Sequence, residues 1–139
     1  MRATFETNVF GPVRMIRAFL PLLRASAAGR IVNVSSEFGS LTPNADPTLP
    51  HGQATALAYT ASKAALNQVT LQFAKELRGS SVTINAVDPG FTHTEMIAGV
   101  GMRSRRTAAE AAVKIVEMAL VGADGPNGVF VNDAGPVPW

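Results

Sequence analysis

The chain has 139 residues, 47% of them hydrophobic and 16% charged, with a net charge of +2 and a sequence pI near 9.5. That composition suits one globular domain around one core and argues against a disordered chain. The basic residues are scattered rather than striped, so no nucleic-acid partner is expected; there is no Cys for disulfides or thiolate chemistry, and no apolar run reaches the roughly 18 residues of a membrane helix.

Val9, Val13, Ile16, Leu20 and Leu23 recur in alternating steps of four and three, which predicts an amphipathic helix ending near Arg24, before Ser26-Ala-Ala-Gly29. Arg30–Val34 is a short apolar run of the kind found in buried parallel strands. Phe38–Gln53 holds Pro43, Pro47 and Pro50 among turn formers and reads as a long loop. Tyr59–Arg78 reads as a helix with Leu66, Val69, Phe73 and Leu77 on its buried stripe and Gly79 as its stop. Val82–Val87 is a second strand, closed by Asp88-Pro89-Gly90. Phe91–Arg106 is irregular or short-helical. Thr107-Ala-Ala-Glu110 is a capping box opening a third main helix that runs to about Val121, with Glu110, Lys114 and Glu117 spaced for ion pairs. Gly125-Pro-Asn-Gly128 is a turn, Val129–Val131 a third strand, and the tail Gly135–Trp139 is not expected to continue regular structure. Helix, strand, helix, strand, helix, strand predicts an α/β fold: three parallel strands with helices on both faces.

Several residues carry chemistry. Tyr59 and Lys63 stand four apart on a predicted helix and share a face. An ammonium beside a phenol stabilises the phenolate, so Tyr59 is a candidate acid/base with its pKa lowered by Lys63. Ser36 ends the first strand, although Ser35 is an equal candidate for a turn or cap. Asn8 reads two ways. Pro12, four residues on, has no N–H, so the Asn8 carbonyl would be free to hold a water; alternatively Asn8 is an N-cap with Pro12 in the first turn. His51 and His93 have no partner ligands at metal-binding spacing, and no G-x-S-x-G elbow accompanies Ser36.

Thr7-Asn-Val-Phe-Gly11, Gly29-Arg-Ile-Val-Asn-Val-Ser-Ser36, Tyr59-Thr-Ala-Ser-Lys63-Ala-Ala-Leu66 and Asn85-Ala-Val-Asp-Pro89-Gly90-Phe-Thr-His-Thr94 together resemble the short-chain dehydrogenase/reductase family. The resemblance covers essentially the whole chain but only the C-terminal portion of the family's Rossmann-type, doubly wound domain. It implies an oxidoreductase that uses NAD or NADP and passes a hydride between nicotinamide and a carbonyl or secondary alcohol. Asn8, Ser36, Tyr59 and Lys63 would be its catalytic residues. Ser36, favoured over Ser35 by the match, would hold the substrate oxygen; Lys63 would also bond the nicotinamide ribose; Asn8 would serve a proton relay. Tyr59, Lys63, Pro89, Gly90, Thr92 and Thr94 would flank the cofactor, with the Thr94 hydroxyl on phosphate. Phe91–Arg106 would be a substrate lid, on which Arg103, Arg105 and Arg106 could favour an anionic substrate.

Two departures stand beside the match. Ser36 and Tyr59 are further apart than in most of the family, and no G-x-G-x-x-G turn or ribose-reading residue is present. Residues 1–139 are therefore expected to form a single partial Rossmann-type domain without the N-terminal cofactor-binding half: a fragment or mis-started reading of a longer protein, or a truncated relative. The alternative function is a non-catalytic remnant that binds no cofactor alone. A cytoplasmic protein is expected, because no secretory leader opens the chain. Helices 9–23 and 59–78 would form a homo-oligomer by the same resemblance.

Overall fold

The computed structural model describes residues 1–53, 55–99 and 104–139. In chain order it contains α1 (Arg2–Phe5), a π-helical stretch (Glu6–Phe10), α2 (Gly11–Ala25), β1 (Gly29–Val34), a 3-10 turn (Glu37–Gly39), α3 (Leu41–Asn44), α4 (Pro50–Gln53), α5 (Leu57–Glu76), β2 (Val82–Val87), α6 (Glu95–Gly99), α7 (Ala108–Ala119), β3 (Phe130–Asn132) and β4 (Gly135–Pro136). The sheet runs β1-β2-β3-β4, with the first three strands parallel. This is the α/β fold expected from the alternation of helical and extended segments.

Register decides which side chains meet which helix. β1 pairs with β2 from Gly29↔Val82 to Val34↔Val87. Because strand side chains alternate between faces, Ile31 and Asn33 share one face with Val82, Ile84 and Ala86. On that face α2 contributes Ile16 and α5 contributes Phe73, Ala74 and Leu77 to a core with Val82 and Ile84, flanked by Val13, Leu20, Leu23, Ile31 and Val69. The α7 helix contacts β1 and β2 as well. Arg30, on the opposite face from Ile31, donates from Nε to the Val121 carbonyl (3.0 Å) and from Nη2 to the Gly122 carbonyl (2.7 Å), just beyond the end of α7. Cationic donors suit the carbonyl-rich end of a helix.

α5 also buries polar residues that bond to β1 and to the helix's own main chain. Asn33 Nδ2 donates to Thr70 Oγ1 (2.8 Å), Thr70 Oγ1 donates back to the Leu66 carbonyl (2.9 Å), and Ser35 Oγ donates to Asn67 Oδ1. Gly39 brings the 3-10 turn onto α5: a Cβ there would lie 2.5 Å from the Lys63 carbonyl carbon. Gly79, at φ +77°, supplies the left-handed conformation that stops α5.

Four expectations need correction. The segment 38–53 is not an open loop; it holds the end of the 3-10 turn, α3 and α4. Pro50 begins α4, where the missing N–H costs nothing, and Pro43 lies inside the four-residue α3, too short for its missing donor to matter. The tail does form a strand: β4 lies antiparallel to β3, with Asn132↔Gly135 and Val131↔Pro136 paired. An edge strand tolerates proline, and Val137 N donates to the Phe130 carbonyl (2.8 Å) while Trp139 stacks on Phe130 with ring centroids 5.5 Å apart. α7 ends at Ala119, two residues early, and α5 ends at Glu76. Finally, the Glu110 carboxylate is engaged by the Thr107 capping box, leaving Lys114–Glu117 (2.7 Å) as the ion pair of that helix.

Candidate functional site

The C-terminal ends of β1 and β2 face the first two turns of α5, and the chemistry-bearing residues gather there. Tyr59 and Lys63 lie on one side of α5. The Lys63 Nζ donates to the Val34 carbonyl at 2.9 Å and sits 5.7 Å from the centre of the Tyr59 ring. Ser36 is buried at the end of β1, near enough to the Tyr59 phenol to favour its ionised form. Its Oγ also accepts from Phe38 N (3.3 Å), as cap of the 3-10 turn. Ser35 turns the other way, onto Asn67, so the two serines are separated by strand alternation and only Ser36 meets Tyr59.

The electrostatics differ from the sequence reading. Burial raises the Tyr59 phenol above its ordinary pKa, the bond from Ser36 opposes that rise, and the negative charge of Asp88 adds to it. Burial lowers the Lys63 ammonium, and Asp88 opposes that fall. The expected lowering of the Tyr59 pKa by Lys63 is absent in this arrangement. The ammonium is turned toward a main-chain carbonyl, and desolvation of the phenol outweighs the rest.

Asn8 lies within the π-helical stretch, with Pro12 in the first turn of α2. Its side chain is not a cap. Asn8 Nδ2 donates to Ser62 Oγ (3.0 Å), and Ser62 Oγ donates to the Tyr59 carbonyl (2.7 Å). Asn8 is thereby joined to α5 between Tyr59 and Lys63. The π-helical widening, with Gly11 N donating five residues back to the Glu6 carbonyl, accompanies the proline that has no N–H for Asn8.

Past β2, Gly90 has φ +71° and its N–H donates to Asp88 Oδ1 (2.9 Å). Thr92 Oγ1 donates to the Gly90 carbonyl (3.0 Å), and Thr94 Oγ1 accepts from Ile97 N (3.4 Å) at the start of α6. Pro89, Gly90, Thr92 and Thr94 thus follow directly from the strand end beside Tyr59 and Lys63. Arg106 is committed elsewhere: its Nη1 pairs with Asp133 (2.5 Å) and its Nη2 donates to the Glu110 carbonyl (3.1 Å). Arg105 is exposed, and Arg103 lies outside the described residues, so the three arginines are not seen as one anion site.

Other groups at this mouth escaped the sequence reading. Glu37 pairs with His51 (3.3 Å) and bonds Asn132. Phe38 stands between His51, Tyr59 and Phe91, with ring centroids 4.9, 6.5 and 6.2 Å away. Their proximity comes from the folded 40–53 segment, which no local pattern announces. Asp88 could have been found, since it precedes Pro89-Gly90 and lies two residues beyond the inward-facing Ala86. Among the described residues no cluster of three or more His, Asp or Glu side chains could hold a metal, and no helix is long and apolar enough to cross a membrane.

A family model described as short chain dehydrogenase matches residues 1–105. A short-chain dehydrogenase, anuI, of Penicillium roqueforti is 38% identical over 125 residues, covering 87% of this chain and 48% of the relative. The C-signal protein of Myxococcus xanthus is 38% identical over 96 residues, covering 69% and 54%. Among solved structures, the carbonyl reductase Sniffer of D. melanogaster superimposes with a TM-score of 0.79 at 28% identity, over 97% of this chain and 55% of that one. An NADPH-bound carbonyl reductase from chicken fatty liver gives 0.78 at 26%, over 97% and 55%. The chain spans about half the length of the relatives it matches.

Proposed function

Because the chain belongs to the short-chain dehydrogenase family, we propose that it carries the substrate- and nicotinamide-facing half of an NAD(P)-dependent oxidoreductase acting on a small-molecule carbonyl or secondary alcohol. The observation that supports this most is Tyr59 beside Lys63 on α5, with Ser36 buried at the adjoining end of β1. The raised phenol is protonated at neutral pH, the form that donates a proton when a carbonyl is reduced. Ser36 orients the substrate oxygen toward Tyr59. The nicotinamide, when bound, supplies or accepts the hydride.

The residues present fit that half of the cofactor. Gly90 places an unobstructed main chain at the strand end, and the Thr94 hydroxyl is exposed for a phosphate. Among the described residues the Lys63 ammonium is held by the Val34 carbonyl, which it would release to reach a ribose. Asn8, tied to Ser62, extends the line from Lys63 toward solvent as a relay. A homo-oligomer through 9–23 and 59–78 and a cytoplasmic setting belong to the same proposal. NADPH- or NADH-dependent turnover of a panel of ketones and aldehydes tests it, with Tyr59→Phe reducing kcat by roughly 10²–10⁴-fold, the contribution general acid–base catalysis makes. Turnover that survives Tyr59→Phe would refute the assignment.

A second reading is favoured by one observation: β1 lies at the edge of the sheet, its outer side bordered by a groove lined by Pro12, Ile16, Phe19, Ile31, Val32 and Leu66. Such an edge invites pairing with another strand. In this reading these 139 residues do not bind the cofactor alone. Titration of the purified chain with NADPH and NADH separates the two: a micromolar dissociation constant excludes the second reading, and no binding favours it.

A further inference from the structure

Phe38 and Phe91 take no part in the chemistry assigned above, yet they stand in a row with Tyr59. The Phe38 ring is edge-on to Tyr59, with centroids 6.5 Å apart at 66°. It is edge-on to Phe91 as well, at 6.2 Å and 63°. The His51 ring is a third neighbour of Phe38, at 4.9 Å. Phe91 is 40% exposed, and Phe38 and Tyr59 are half-buried, so the row has an open apolar side. Scattered surface phenylalanines need no explanation, but a contiguous row of rings ending at a candidate acid/base does.

Both phenylalanines are mounted on main chain that is held in place. Asn44 Nδ2 donates to the Phe38 carbonyl (3.0 Å), and the adjoining Gly39 is packed so closely that a Cβ would lie 2.5 Å from the Lys63 carbonyl carbon. His51 is paired with Glu37 (3.3 Å). The Phe91 carbonyl accepts from Ser104 Oγ (2.6 Å), and His93 N donates to the Arg106 carbonyl (2.7 Å). These bonds tie the chain after Gly90 to the residues just before α7.

We propose that Phe38 and Phe91 are specificity-determining residues that select carbonyl substrates carrying a flat aryl group on the carbonyl carbon. This rests on the reading of Tyr59 as the acid/base. The two phenylalanine rings already meet edge to face, so an aryl group does not slide between them. It joins the row on its exposed side, within the centroid spacing of about 4.5–7 Å that aromatic pairs prefer. An aryl ketone is planar through its carbonyl carbon, so seating the ring also sets the direction of the oxygen relative to Tyr59. A saturated ring fills the same space but offers no π face.

Acetophenone and cyclohexyl methyl ketone differ in that π face and little in size, and they make the test in the full chain. The ratio of their kcat/KM values should fall roughly two- to tenfold from wild type to Phe91→Leu or Phe38→Leu, the size of an aromatic pair interaction. Comparing ratios cancels the intrinsic reactivities of the ketones. A ratio that the folded variants leave unchanged overturns the proposal. If Phe38→Leu does not fold, Phe91→Leu decides, because its side chain is exposed. A second readout needs no turnover. Tyr59 is the one tyrosine of the chain, so ring-labelled tyrosine reports on this mouth alone. Titrated with each ketone, with and without NADP+, its resonances should show acetophenone binding the tighter, and Phe91→Leu should remove that difference. Resonances that neither ketone moves, or equal affinities for the two, overturn the proposal. Absent turnover of any ketone, with Phe91-dependent acetophenone binding still reported at Tyr59, would refute the oxidoreductase reading and uphold the aromatic seat.

Discussion

α2 and α5 lie on the same face of the sheet, yet they are held there by different forces. α2 buries Ile16 and leaves Met15, Phe19 and Leu22 exposed along its flank, with Phe10 exposed just ahead of it. α5 buries Leu66 and Phe73, and with them Ser62, Asn67 and Thr70. Apolar contact is non-directional and tolerates small slides. Buried hydrogen bonds do not, because a displaced donor is left unsatisfied at a cost of about 1–3 kcal/mol. The helix that carries Tyr59 and Lys63 is thus the one whose rotation and height above β1 are fixed by directional bonds.

The comparison predicts the largest losses where both helices share the core. Phe73→Ala should cost about 3–5 kcal/mol and Ile16→Ala about 2–4 kcal/mol by urea denaturation, since each removes a buried side chain next to Val82 and Ile84. If Ile16→Ala matched or exceeded Phe73→Ala, α2 would be the keystone of this face, contrary to its open flank.

Gly39 tests how tightly the turn after Ser36 is set against α5. A Cβ at 2.5 Å from the Lys63 carbonyl carbon meets main chain, which cannot rotate away. Gly39→Ala should cost about 1–3 kcal/mol, the range for overpacked sites. It should also raise KM or reduce kcat in any active form, because it levers Ser36 and Lys63 apart. A substitution that changed neither stability nor kinetics would mean the approach relaxes freely.

The directional bonds themselves are tested by Thr70→Val, close to isosteric, which strands the buried Asn33 Nδ2. The expected loss is about 1–3 kcal/mol. Adding Asn33→Leu should recover much of it, since removing both partners leaves no orphaned donor. Strictly additive losses would show that the pair is packing rather than bonding.

These contrasts also explain what could be read from sequence. The strands and the three long helices announce themselves by period and by their starts and stops, as at Thr107 and Gly79, because those signals are local. The Tyr59–Lys63 pair is legible for the same reason: four residues on one helix share a face. The charge balance around it was not, since whether a phenol rises or falls depends on burial and on Asp88, about thirty residues along the chain. Nor was the folding of 40–53, where short helices are set by packing and by Asn44 Nδ2 donating to the Ser40 and Phe38 carbonyls at 2.6 and 3.0 Å. The two-residue β4 depends on β3 and on the Trp139–Phe130 contact, which a two-residue pattern cannot reveal.

The smallest effect is expected on the exposed flank of α2. Leu22 is 68% exposed and Met15 57% exposed. Leu22→Lys should change the stability of the single chain by no more than about 0.5 kcal/mol, as surface substitutions do away from caps and core. A helix held only by its inner stripe has nothing on this side to lose. Sedimentation at several concentrations supplies the second half of the test. If the proposed oligomer uses helix 9–23, a lysine in the middle of an apolar contact should weaken association while leaving the monomer intact. A destabilised monomer would instead mean that the flank is packed against the fold, and the contrast between the two helices would be lost.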